Sequence, residues 1–383
     1  MKTETKTIPF SKPYFSQEEL DALKGPIQSG WVTQGIEVEK FEESLSKLCG
    51  VKYAISVNSG TSALHLSLIA HNIGENDEVI CPSYSFIATA NSIKLAGATP
   101  VFVDVDINTS NMTTELVEKH ITKKTKALML VHQFGLPVDL DGFRDLANRH
   151  KLILIQDAAC AIGSTYKNKS LSTWGDISCL SFHPRKIITT GEGGAVLTDN
   201  LDIAKRIREL RSHGASSSNK NKDNKLFAKH DEYYSYGYNY RLSDLNAAVG
   251  NVQLKKLDEI ISRRIEIALR YIANLAKYKN EIAMPTIPNN SNPNHQTFQI
   301  RILAGREKRD SLILTLADSG ISTRPGIPPI HKQIAYSKLP EYKNISLPNT
   351  ELLSEQGLCL PVFHDLSIDD QKYIIQKLIE NLE

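Results

Sequence analysis

Little in this chain ties it to an oxidising compartment, a membrane or a polyanion. It has only five cysteines in 383 residues, Cys49, Cys81, Cys160, Cys179 and Cys359. Their number is odd and their spacing is neither that of a metal site nor that of a disulfide framework, so they read as reduced thiols, mostly in the core, and no metal site is expected. Lys plus Arg (45) nearly cancel Asp plus Glu (43), which leaves no overall field to draw the chain to nucleic acid or anionic lipid. No basic face or appended helix-turn-helix pattern is visible. No apolar run is long enough to span a bilayer, and the polar residues 1–7 lack the apolar core of a signal peptide. A cytoplasmic location is therefore expected. No Gly-x-Gly-x-x-Gly turn follows a strand-like run near the start, which argues against an ordinary dinucleotide-binding protein.

What is present is an alternation of short apolar or β-branched runs with helix-length segments between about residues 50 and 200. The runs fall at 53–57, 78–81, 100–103, 127–131, 152–156, 177–182 and 195–198. Such alternation predicts an α/β layered domain with a mainly parallel sheet. Several runs are apolar on consecutive residues, as in strands covered by helices on both faces. From Leu242, apolar residues recur at helical spacing through Leu257 and Ile272 to about Tyr278, which predicts one long connecting helix. Residues 285–293 are rich in Pro, Asn and Ser, and Phe298, Ile300 and Ile302 then alternate with polar residues like a half-buried strand. The length supports two domains, expected as residues 1–250 (large, with an N-terminal arm) and 251–383 (small). Ser367, with Asp370 three residues on, is the expected N-cap of a closing helix. Residues 214–229, dense in Ser, Asn and Lys, read as a mobile loop near the site.

The run from Ser178 to Gly194 breaks at Pro184, presents Lys186 and closes on glycines. A lysine amine attacks carbonyls only when unprotonated, a state that burial or a neighbouring charge can arrange. Lys186 is thus a Schiff-base candidate, and equally an ordinary loop lysine. Ligands of α/β sheets sit at the carboxyl ends of the strands, so residues there are the candidates for binding one. Gly60, Thr61 and Ser62 open a helix after the first run and could cradle a phosphate, or simply cap the helix. Asp157, followed by Ala158 and Ala159, could hold a ring nitrogen protonated, or act as an N-cap. Phe86 could stack on a planar ligand, or pack in the core. Ser181 adds a hydroxyl on the strand leading to Lys186. A phosphate cradle, a stacking aromatic, a carboxylate for a ring nitrogen and a carbonyl-reactive lysine together describe a site for pyridoxal 5′-phosphate.

At these residues the chain resembles the DegT/DnrJ/EryC1/StrS sugar aminotransferases, of the fold-type-I group, over nearly its whole length. The resemblance is carried by Gly30-Trp31-Val32-Thr33-Gln34-Gly35, Asn58-Ser59-Gly60-Thr61-Ser62-Ala63-Leu64-His65 and Asp157-Ala158-Ala159. It extends to Ser181-Phe182-His183-Pro184-Arg185-Lys186, Thr190-Gly191-Glu192-Gly193-Gly194 and Gly237-Tyr238-Asn239-Tyr240-Arg241-Leu242-Ser243-Asp244. It implies a large domain with a mainly parallel seven-stranded sheet between helices, plus a smaller C-terminal α+β domain. It also implies that Lys186 forms the Schiff base and shuttles the proton, that Asp157 partners the pyridine nitrogen, and that Phe86 and Ala159 cover the two ring faces. Gly60 would allow close approach, Thr61, Ser62 and Ser181 would hold the phosphate, and Asn239 would reach the phosphate of a neighbouring subunit, so a homodimer with two shared sites is implied. Arg241 would lie near substrate. Where this family usually has His or Gln three residues after the aspartate, this chain has Cys160, a weak donor.

The implied reaction is ping-pong transfer of an amino group from glutamate, released as 2-oxoglutarate, to a nucleotide-linked keto-sugar. Gly320-Ile321-Ser322-Thr323-Arg324-Pro325 and Pro328-Pro329-Ile330-His331 are similar to the perosamine-synthase branch, whose substrate is a GDP-linked 4-keto-6-deoxy sugar. That branch implies amino-sugar synthesis for surface polysaccharide such as the O-antigen of lipopolysaccharide. Arg324 and His331 would contact nucleotide or sugar, or order their loop. Two alternatives remain: a sugar dehydratase of the same fold, in which histidine replaces the lysine, and a non-enzymatic cofactor-binding regulator.

Overall fold

A computed structural model describes residues 7–215 and 232–382. Seven strands form the central sheet: β1 (Tyr53–Val57), β2 (Glu78–Pro82), β3 (Thr99–Val103), β4 (Thr125–Val131), β5 (Ile153–Asp157), β6 (Ile177–Ser181) and β7 (Gly194–Thr198). Each lies within a residue or two of an apolar run expected from sequence. Their order is β1-β7-β6-β5-β4-β2-β3. The pairs β3–β2, β2–β4, β4–β5 and β5–β6 are parallel, whereas β7 runs antiparallel to both β6 and β1. The cause is the short connection from β6 through residues 182–193, which carries no crossover helix, and a parallel return needs one.

Strands β4, β5 and β6 are buried along almost their whole length, because apolar cores lie on both faces of the sheet. One includes Phe41, Leu128, Leu154, Leu180 and Phe182, the other Ile55, Leu66, Met129, Ile155 and Cys179. A third core packs Tyr271, Phe298, Leu358 and Ile374 around a second sheet, in which Ile282–Ala283, Phe298–Ile302, Gly357–Leu360 and Arg324–Pro325 are neighbours in that order. The alternating run at Phe298 is the second of these strands. The closing helix is Ile368–Glu380, with the Ser367 hydroxyl accepting from the Asp370 N–H at 3.0 Å.

The single long helix expected from Leu242 onward is two helices, Asp244–Lys255 and Leu257–Leu275, broken at Lys256. The Lys256 ammonium turns to the first helix of the chain, donating to Glu19 Oε1 and Ser16 Oγ, each at 2.7 Å. Burial alone would raise the Glu19 carboxyl, but the Lys256 ammonium and N–H donors from Ser16 and Gln253 outweigh it and hold Glu19 below its ordinary range. Apolar periodicity passes through position 256 unbroken, so it gives no sign of this anchor. The loop expected at residues 214–229 lies outside the described residues beyond Ala215.

Candidate active site

The sheet delivers its chemistry at the carboxyl ends of β1, β5 and β6. After β1, Ser59 adopts an extended backbone and caps the helix Gly60–Ala70, its hydroxyl accepting from the Ser62 N–H at 3.1 Å. The Ser62 hydroxyl donates to Asn58 Oδ1 at 2.6 Å. A Cβ at Gly60 would stand 2.8 Å from Ser181 Cβ, so only glycine lets the helix start this close to the end of β6. Thr61 and Ser181 are half-buried beside that contact. Gly60, Thr61, Ser62 and Ser181 thus converge at a helix N-terminus whose free N–H groups and positive dipole end favour a phosphate.

Asp157 ends β5 and is only 6% exposed. Its Oδ2 accepts from Thr89 Oγ1 at 2.8 Å, its Oδ1 from the Ala159 N–H at 3.2 Å, and Ser85 Oγ lies 2.8 Å behind Thr89 Oγ1. Burial raises the Asp157 carboxyl, against the lowering pulls of Thr89, the Lys186 charge and the Ala159 N–H. Both of its donors are neutral, so the carboxylate has lone-pair capacity for a further, charged donor. A protonated ring nitrogen supplies that donor, and in this respect the residues present fit pyridoxal 5′-phosphate.

Lys186 follows β6 in a turn closed by its own N–H donating to the His183 carbonyl at 2.8 Å. Its Nζ donates to Cys160 Sγ at 3.1 Å. Cys160 is therefore in contact with the amine itself. It is the half-buried cysteine of the five; the other four are buried.

Phe86 is 68% exposed, so its ring is not part of the core. It is carried by a turn after β2 that is held from below. The Ile330 N–H donates to the Ser83 carbonyl at 2.9 Å, and the His331 N–H to Ser83 Oγ at 3.1 Å. His331 itself is 2% exposed, with Nδ1 2.7 Å from Ser83 Oγ and Nε2 3.3 Å from Glu351 Oε1. With both ring nitrogens engaged in a buried network, this side chain is not presented to a ligand. Of the two alternatives for His331, this network supports the one in which it orders its loop.

Asn239 is exposed, and its carbonyl accepts from Asn58 Nδ2 at 3.4 Å. Arg241 is half-buried and donates to Ser212 Oγ at 3.1 Å. Arg324 is exposed on a strand of the second sheet. Two of the sequence motifs meet at Asp244, whose carboxylate accepts from the N–H groups of Gly35 at 2.7 Å and Val38 at 3.1 Å. That joins the chain around Gly35 to the segment that presents Asn239 and Arg241. Thr89 and Ser85 carry no signal in the sequence, since nothing in their local pattern shows that they reach Asp157, 68 residues on from Thr89.

A sheet of this order with one reversed strand, a lysine after β6 and a buried aspartate ending β5 define a fold-type-I aminotransferase that uses pyridoxal 5′-phosphate. The model of the DegT/DnrJ/EryC1/StrS aminotransferase family matches residues 13–379, and the chain belongs to that family. Among solved structures, DesV of S. venezuelae is 33% identical, with 99% of each chain covered and a TM-score of 0.89. The aminotransferase TlmJ of Streptoalloteichus hindustanus is 32% identical, with 98% of each chain covered and a TM-score of 0.90. PseC of Helicobacter pylori, an aminotransferase of pseudoaminic acid biosynthesis, is 29% identical over 98% of this chain and 99% of its own, with a TM-score of 0.91. The protein is a sugar aminotransferase.

Proposed function

We propose that this aminotransferase takes the amino group of L-glutamate, releasing 2-oxoglutarate, and gives it to a nucleotide-linked 4-keto-6-deoxyhexose. A GDP sugar is favoured by the likeness of residues 320–331 to the perosamine branch, and the product would serve a surface polysaccharide such as the O-antigen of lipopolysaccharide. The observation that carries this reading is the Lys186 amine held 3.1 Å from Cys160 Sγ on the turn next to the buried Asp157. When bound, the cofactor supplies a carbonyl for the lysine and a ring that accepts electron density. Lys186 would hold the cofactor through Nζ and, once the donor's amino group has displaced it, would move the proton of the donor's α-carbon at the freed Nζ. Asp157 keeps the proton on the ring nitrogen. Gly60, Thr61, Ser62 and Ser181 hold the phosphate, while Phe86 and Ala159 cover the ring and keep water off it. Arg241 and Arg324 meet the anionic parts of the substrates, and His331 orders the Phe86 turn.

Asn239 serves the site of a second subunit, which makes the enzyme a cytoplasmic homodimer; its exposed side chain supports this. Residues 1–250 and 251–383 are its large and small domains, a division supported by the separate core around Phe298. The test is the visible absorption of the protein with added pyridoxal 5′-phosphate, before and after glutamate. Wild type should show a band that glutamate bleaches, and Lys186→Ala should show neither band nor bleaching while retaining its fold. A wild-type band that glutamate leaves unchanged would rule out the glutamate-driven reading.

A further inference from the structure

The turn that carries Lys186 and the backbone that carries Cys160 are joined by a segment more than a hundred residues away in the chain. Asn294 is fully buried, and its Nδ2 donates to the carbonyls of Cys160 at 3.0 Å and Ile162 at 2.8 Å. Its own N–H donates to Ser164 Oγ at 3.0 Å, and that hydroxyl donates to the Gly135 carbonyl at 2.7 Å. Gly135 stands at φ 88°, and a Cβ there would fall 1.9 Å from Asn294 Oδ1, so any other residue would displace the amide. Two positions on, Gln296 Nε2 donates to the Arg185 carbonyl at 2.9 Å. The Gln296 N–H donates back to Asn294 Oδ1, and Thr297 Oγ1 donates to Gln296 Oε1, each at 2.9 Å. Three successive loops, following β4, β5 and β6, are therefore stitched by one short strap.

The strap is itself rigidly mounted. Upstream, Ser291–Asn292 pairs with Thr165–Tyr166; downstream, Phe298 opens a central strand of the second sheet. Beneath it, the buried Arg264 spends its guanidinium on backbone, donating to the carbonyls of His295 at 3.3 Å and Gln296 at 3.1 Å. A lysine side chain has four rotatable bonds, so the placement of its amine depends on the backbone from which it swings. We propose that Gln296, backed by Asn294 and Arg264, is the positioning residue for Lys186. By fixing the Arg185 carbonyl while Asn294 fixes that of Cys160, the strap sets the contact between the lysine amine and the Cys160 thiol.

The inference rests on Lys186 being the cofactor-linked lysine, and it is tested with and without cofactor. Gln296 is only half-buried, so Gln296→Ala and the isosteric Gln296→Glu, which cannot donate when ionised, should fold. In the apoprotein, iodoacetamide should react at the half-buried Cys160 before the four buried cysteines, with the Lys186 amine 3.1 Å from Sγ expected to slow it. Both variants should raise Cys160 alkylation, read by mass spectrometry, roughly 5-fold, and slow the glutamate half-reaction at saturation about 10-fold with half-saturation unchanged. Gln296→Lys, which restores an N–H donor, should recover most of both. Alkylation and half-reaction rates within about 2-fold of wild type in both variants, or a change in one without the other, would overturn the proposal. Loss of the visible band in wild type would fail the functional reading instead, and the alkylation arm would still judge the strap.

Discussion

Asp157 is the residue whose environment most needs its partner. A carboxylate this buried is costly to ionise unless a charged donor compensates it, and here both donors are neutral. Its raised pKa in the folded protein means that the folded state holds the proton more tightly than the unfolded one. Its contribution to stability is therefore fully present below the unfolded value, near 4, and is lost as pH rises through the raised folded value. Asp157→Asn removes that loss. The melting temperature of the Asn variant's apoprotein should gain on wild type as pH is taken from about 4 to neutrality. Added pyridoxal 5′-phosphate should narrow the gap by stabilising wild type more. The same variant should still take up cofactor through Lys186 yet run the glutamate half-reaction at least about 100-fold more slowly, because a neutral amide cannot hold the ring nitrogen's proton. Melting curves that stay parallel across this pH range would mean that Asp157 is neutralised in some other way.

At the scale of elements, the framework is tied together by ionic and polar contacts between distant segments. Lys256 breaks what would otherwise be one helix in order to meet Glu19, and both groups are largely withdrawn from water. Glu19→Ala removes the buried partner and leaves Lys256 with the exposed Glu18 carboxylate at 3.3 Å and the Ser16 hydroxyl, so it should cost about 2 kcal/mol in urea denaturation, more than Glu18→Ala, whose ion pair is largely in solvent. The seven strands were legible in sequence because each is a run of apolar residues bounded by polar turns. The direction of β7 was not, since period and composition are the same for a strand of either sense. Lys186, Asp157 and the Gly60 helix start stood out as candidates for a related reason: each lies at or shortly beyond the carboxyl end of a strand, where ligands of α/β sheets sit. Asn294 and Gln296 gave no signal of their own, because the Pro-, Asn- and Ser-rich stretch just before them announces that the chain turns, not what it will touch a hundred residues away. The Cys160 contact with Lys186 was hidden in the same way, being set by the neighbouring loops rather than by local pattern.

At the scale of the whole molecule, several features face outward that a solitary chain would not need. Ile27 and Trp31 are 61% and 59% exposed around the Gly35 motif, whose backbone is held by Asp244. Asn239 is exposed as well. A second copy that covers this apolar surface and receives Asn239 accounts for all of them in the proposed homodimer. Symmetry then makes a strict demand: a twofold assembly with shared sites places Lys186 of one subunit with Asn239 of the other, twice. Lys186→Ala and Asn239→Ala, each inactive or nearly so alone, should complement when unfolded together and refolded as a mixture. Random pairing makes about half the dimers mixed, and each mixed dimer has one site with both residues intact and one with neither, so activity should return to about a quarter of wild type. If Asn239 instead serves the site of its own chain, a mixed dimer contains no intact site, and the refolded mixture should be no more active than the better of the two variants alone.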